Sequence, residues 1–256
     1  MSLGQGLHGV IYHRPTARGL AVIIANKSGP QQGQNTLTGV EQDFVRMVYT
    51  FEKLRFGVLP CKNVSKEELM CVVHGVASFL DYPESYRRIV FVLSGHGIEH
   101  FIFTHDGKVD INGIVDAFQP CNAPHLGCIP KMFFIDVCRG TNPMRPVFSP
   151  RGGEEVTKIV PHFGNCLVAY STLNSFEAFE CQEGGVWMTL LSEKLLTLRG
   201  SIVDVLIDVN RALNEKYQDK NFWKIIQQPT FEGTLNEHVK LLVEAESDIS
   251  GRASDR

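Results

Sequence analysis

The chain has 256 residues, 43% hydrophobic and 21% charged, with a net charge of −3. One large α/β domain of this size buries roughly 70–75% of its unfolded surface, so it needs no metal or disulfide staple. No basic excess points to nucleic acid or an anionic membrane, and the longest apolar runs fall far short of the ~20 residues that span a bilayer.

Residues 1–18 lack the apolar stretch of a secretory leader, so a cytoplasmic protein is expected. Seven cysteines without a C-x-x-C give no support to thioredoxin-like or zinc-ribbon readings. Most are expected to be buried, reduced side chains. A first strand is expected over 20–25, then a Gly/Gln/Asn-rich loop over 28–35 and a helix over 41–54 with Phe44, Val45, Val48, Phe51 and Leu54 at helical spacing. Residues 57–59 read as a short strand. Ser65-Lys66-Glu67-Glu68 has capping-box spacing and opens a helix running to about residue 80.

Residues 89–93 give the third strand, and Asp106-Gly107 between two β-prone segments signals a hairpin. A short helix over 111–118 and a fourth strand over 132–135 follow. Residues 140–165 are polar, Pro- and Gly-rich and without period, as a functional or mobile loop would be. A fifth strand covers 166–170, and helices cover 187–198, with Gly200 as C-cap, and 202–217. Residues 231–243 mix strand and turn signals, and 244–256 read as a disordered tail. Alternating strands and helices imply a mainly parallel sheet covered on both faces.

Phe91-Val92-Leu93 leads into Ser94-Gly95-His96-Gly97, and Met132-Phe133-Phe134-Ile135 leads into Asp136-Val137-Cys138-Arg139-Gly140. Side by side in a sheet, these strands would bring an imidazole and a thiol to one edge. A thiol attacks a carbonyl only as thiolate, so it needs a nearby base and donors for the developing oxyanion. Gly95 and Gly97, lacking Cβ atoms, would let backbone approach a ligand, and the N–H groups of Gly97 and Cys138 are candidate oxyanion donors. Spacing alone leaves open that Cys138 is core and His96 merely ends a strand.

Ile135-Asp136-Val137-Cys138-Arg139-Gly140 resembles the caspase nucleophile signature Q-A-C-[RQG]-G, and Phe91 to Gly97 is similar to the histidine segment of the same superfamily. Leu37-Thr38-Gly39, Ala169-Tyr170-Ser171-Thr172, Gln228-Pro229 and Thr234-Leu235 extend the likeness over about residues 19–242. The resemblance implies a caspase-like three-layer α/β sandwich around a mainly parallel six-stranded sheet. It also implies an apoptosis-type zymogen with a Cys138/His96 dyad, acting on protein or peptide substrates without a cofactor or metal. Residues 19–243 would form the peptidase domain. Residues 1–18 are too short for a death-fold adaptor, and 140–165 would be the linker that caspases cut.

Caspases cut after aspartate using a basic pocket whose three positions here read Leu37, Asp136 and Glu180, with Asp43 on the first helix as a further carboxylate. This acidic pattern resembles paracaspases, which implies an S1 pocket of Asp43, Asp136 and Glu180. A P1 aspartate at ~4 Å from such a group costs about 4 kcal/mol at an effective dielectric of ~20. Arginine instead gains charge-assisted hydrogen bonds of about 1.5–3 kcal/mol each. Cleavage after arginine, then lysine, is expected, with autocleavage at Arg151 in Ser149-Pro150-Arg151-Gly152 and a homodimer through the C-terminal strand. The alternatives are an Asp-specific caspase and a catalytically silent scaffold.

Overall fold

A computed structural model describes residues 17–29, 36–78, 86–140, 164–176, 178, 180–181, 183–217 and 227–242; the side chains of Glu180 and Cys181 are outside that set. The Arg151 bond, residues 141–163 of the expected linker and the 244–256 tail also lie outside it.

Strands β1 (Leu20–Asn26), β2 (Gly57–Lys62), β3 (Ile89–Gly95), β7 (Lys131–Val137), β8 (Cys166–Tyr170) and β11 (Thr230–Gly233) form one sheet. Their spatial order is β11-β8-β7-β3-β1-β2, and β11 alone runs antiparallel to its neighbour. Strand β1 is buried at every position because both faces of the sheet are covered. Leu20, Val22 and Ile24 pack toward α2 (Lys66–Ala77) and α3 (Ile111–Asp116) through Leu69, Val73, Ile111 and Ile114. Ala21 and Ile23 point the other way, to a layer made by α1 (Gly39–Lys53), α4 (Val186–Thr197) and α5 (Ile202–Tyr217), which contributes Met47, Phe51, Trp187, Leu191 and Val209. Each such fully buried side chain stabilises the fold by about 1.5–3 kcal/mol, and the three layers are those expected of an α/β sandwich.

Beside the sheet, β4 (Gly97–Ile98), β5 (Phe101–Thr104) and β6 (Gly107–Asp110) form a small antiparallel unit. A hairpin of β9 (Glu180–Cys181) and β10 (Gly184–Gly185) precedes α4.

Several local expectations are corrected. Strand β2 runs through Pro60 to Lys62 rather than stopping at 59; it is the edge strand, where a missing N–H costs no ladder bond. Strand β7 starts at Lys131, which is buried with its ammonium donating to the Leu126 carbonyl at 2.8 Å, so a charged residue belongs to the core strand. Gly200 does not cap α4, whose C-cap is an extended Leu198. A Cβ at Gly200 would lie 2.7 Å from the Asp204 Cβ, and Asp204 accepts bonds from the N–H and Oγ of Ser201 at 2.7 Å each. That glycine therefore makes room for the opening of α5. Strand β11 is only four residues long, beginning one residue before the expected 231–243 region and covering its first three residues. Of the six described cysteines only Cys61 and Cys166 are buried; Cys71 is on the solvent face of α2, and Cys121 and Cys128 are on exposed loops. The expectation of mostly buried thiols fails because their positions fall outside the apolar period.

Candidate active site

Strands β3 and β7 are parallel neighbours with Ser94 opposite Asp136 and Gly95 opposite Val137. One residue further on, His96 and Cys138 leave the sheet at the same level. Strand register, set by the apolar runs behind it, therefore delivers imidazole and thiol to one place. The chain beyond Cys138 is held by two backbone bonds, Arg139 N–H to the Phe176 carbonyl (2.9 Å) and Ser175 N–H to the Arg139 carbonyl (2.8 Å). The Arg139 guanidinium lies 3.9 Å from the Tyr170 ring centroid, a cation–π contact that anchors the same turn.

Gly97 is confined for a different reason than ligand approach. A Cβ there would lie 2.6 Å from the Phe101 carbonyl oxygen and 2.8 Å from the Val137 Cβ, so the missing side chain lets β4 cross β7 closely.

A cleft of about 340 Å³ opens at this edge, lined by Leu37, Val40, Asp43, Ser94, Gly95, His96, Asp136, Cys138 and Ala178. The Cys138 thiol is half-buried and its S–H donates to the Ala178 carbonyl at 3.6 Å. Thiol, imidazole and two carboxylates thus share one concavity, which also contains Leu37.

Asp43 is the more unusual acid. It sits on α1, which is locked to α4 by a buried 2.7 Å hydrogen bond between the hydroxyls of Thr50 and Ser192. Only 2% of it is exposed. Gly185 N–H donates to its Oδ2 at 2.7 Å, and the Arg46 guanidinium donates to Oδ1 at 2.5 Å. Burial nevertheless pushes its pKa up to about 6, against the lowering by the Gly185 bond and the Arg46 charge. Asp136 is close by. A Cβ on Gly185 would be 2.6 Å from Asp136 Oδ2 and 3.2 Å from Asp43 Oδ2, so the two acids converge on this one glycine. Glu180 is placed by its backbone in β9, paired with Gly185, and its side chain lies outside the described residues.

The caspase-domain family model matches residues 18–240, almost the whole described body. The chain belongs to the caspase-domain family. Caspase-3 of Mesocricetus auratus is 27% identical over 206 residues, covering 78% of this chain and 74% of that protein. Human caspase-14 is 26% identical over 187 residues, covering 69% and 76%. The crystal structure of caspase-1 from Spodoptera frugiperda superposes with a TM-score of 0.76 at 19% identity, over 88% of this chain and 90% of that one, and supports the three-layer fold.

Members of the family are cysteine peptidases, and this caspase domain brings a cysteine and a histidine together in its cleft. Four residues in or behind that cleft were not singled out from the sequence. Ala178 has no chemistry of its own and enters through its carbonyl. Gly184 and Gly185 of the caspase domain serve by what they lack. Arg46, three residues after Asp43, carried a readable signal, since i,i+3 positions face each other on a helix.

Proposed function

We propose that this caspase domain is a cysteine endopeptidase that uses Cys138 as nucleophile and His96 as base, and cuts proteins after arginine, then lysine. One observation carries the reading: a single cleft holds the thiol, the imidazole, Asp43 and Asp136, with Leu37 in its wall. In the neutral state the Cys138 S–H engages the Ala178 carbonyl. To react, the thiol turns to His96, which takes its proton. The thiolate then attacks the scissile carbonyl, and the N–H groups of Gly97 and Cys138 receive the oxyanion. His96 returns the proton to the departing amine, and a water deprotonated by His96 hydrolyses the thioester. A P1 guanidinium or ammonium beside Asp136 and Asp43 gains charge-assisted hydrogen bonds, with Glu180 as a third acid, whereas a P1 aspartate meets like charge.

A positional-scanning peptide library on wild type and Cys138→Ala tests turnover and P1 charge together. Wild type should cut after arginine and then lysine, and Cys138→Ala should not cut. Preference for aspartate would overturn the specificity. Failure of an arginyl chloromethylketone to label Cys138, with no turnover, would favour a silent scaffold.

The same specificity makes Arg151-Gly152 a substrate of the enzyme itself. Intact mass spectrometry should show fragments of roughly 17 and 12 kDa from wild type but not from Cys138→Ala; equal processing in both would rule out self-cleavage. Strand β11 ends the sheet, and an edge of this kind supports pairing with a second copy.

A further inference from the structure

Arg46 is not part of the cleft wall, yet it grips that wall from behind. One guanidinium nitrogen donates to Asp43 Oδ1 at 2.5 Å and the other to the Glu183 carbonyl at 2.7 Å. The side chain is 25% exposed while its carboxylate partner is 2% exposed, so the pair spans from solvent to the interior. Gly184, between Glu183 and Gly185, is at φ +111°, and a Cβ there would lie 2.3 Å from Asp43 Oδ1 and 2.6 Å from the Arg46 guanidinium. The hairpin backbone is folded tightly against the ion pair, and that hairpin also carries Glu180.

We propose that Arg46 is a specificity-determining residue: its guanidinium is an internal counter-cation that engages Asp43 and moderates the cleft's attraction for a basic ligand. The proposal rests on the basic-P1 reading for its choice of probe. An ionised Asp43 beside Arg46 forms a nearly neutral pair, so an incoming guanidinium is drawn mainly by the other acids. Removing the cation exposes the charge of Asp43 to the ligand wherever the pH keeps that carboxylate ionised, because loss of Arg46 also raises its pKa further.

Protonation works in the opposite direction. The charged or titratable groups around Asp43 are Arg46 on its own helix, Asp136 across Gly185, and His96 and Cys138 in the same cleft. Below about pH 6 the Asp43 carboxyl is neutral and Arg46 is left as a net positive charge behind the cleft, which repels a basic ligand.

The test compares acetyl-tripeptide aldehydes ending in arginine and in leucine, with dissociation constants measured by calorimetry, which needs no turnover. Their ratio cancels thiol and imidazole chemistry, because both aldehydes bond to the same sulfur. In Arg46→Gln the ratio should shift toward arginine roughly three- to tenfold at about pH 8, while Arg46→Lys, which keeps the cation, should stay near wild type. In wild type the ratio should shift toward leucine as pH falls through about 6. An Arg46→Gln ratio that is unchanged, or shifted toward leucine, overturns the proposal. If Arg46→Gln does not fold, the wild-type course decides, and a flat ratio between about pH 5 and 8 overturns it. A wild type with no arginine preference would instead sink the basic-P1 reading, and the shift in Arg46→Gln would still decide the role of Arg46.

Discussion

Asp43 shows how far a residue's role depends on its surroundings. In the sequence it is one of many carboxylates; folded, it is buried, bonded to Gly185 and Arg46, and has its pKa raised from 3.8 to about 6 by that burial. The folded state therefore holds this proton more tightly than the unfolded chain does. Ionisation of Asp43 costs stability that is absent below about pH 3.8 and fully felt above about pH 6. An Asp43→Asn variant, which mimics the protonated form, should be about 2–3 kcal/mol more stable than wild type near pH 8 and equal to it near pH 3.5. Urea unfolding at the two pH values measures this, and equal differences at both would mean that Asp43 is not the strained group. The same variant should lose preference for arginine, because it leaves Arg46 uncompensated. At this scale the identities of Cys138 and His96 were legible from motif and spacing. The burial of Asp43, and of Lys131 at the head of β7, was not, because burial of a charge depends on partners distant in sequence.

The element that organises the acidic side of the cleft is the β9–β10 hairpin, whose residues show no period from which to read it. Two-residue strands carry too few alternations to signal themselves, and their pairing is fixed by what they pack against. Gly184 makes the dependence concrete, since it combines a positive φ with the closest approach to Asp43 and Arg46. Gly184→Ala should destabilise the fold by about 1–3 kcal/mol. It should also lower kcat/KM for arginine substrates at least about tenfold, as the displaced hairpin moves the acids. Thermal unfolding and steady-state kinetics on the same preparation separate the two effects; full activity in a folded variant would contradict the packing argument. By contrast, β1, β3, β7 and β8 were legible as strands because an apolar run buried on both faces announces itself, and α2 because Ser65 and Glu68 form the capping box that their spacing implies.

For the whole molecule, the sheet is closed on its faces by helices but ends laterally at β2 and β11. Strand β2 has Pro60 at the edge, which removes one donor and discourages pairing there. Strand β11 has no proline and one charge, Glu232, so it is the edge suited to a second copy. Sedimentation velocity should show a concentration-dependent species of twice the 28.6 kDa chain, with specific activity rising as it forms. A monomer at every concentration would exclude pairing through β11. Among the described residues no helix is long and apolar enough to cross a membrane.

By itself the sequence determined the layer architecture, the chain order of the main strands and the caspase-type cysteine and histidine segments, because apolar period and short motifs are local properties. Only the tertiary structure decided that β3 and β7 are neighbours in a register that sets His96 level with Cys138. It alone brought Asp43 from α1 and Asp136 from β7 to a common glycine, with Arg46 behind them. The physical reason is that register and charge burial are fixed by contacts between segments far apart in the chain, whose energies no local pattern encodes.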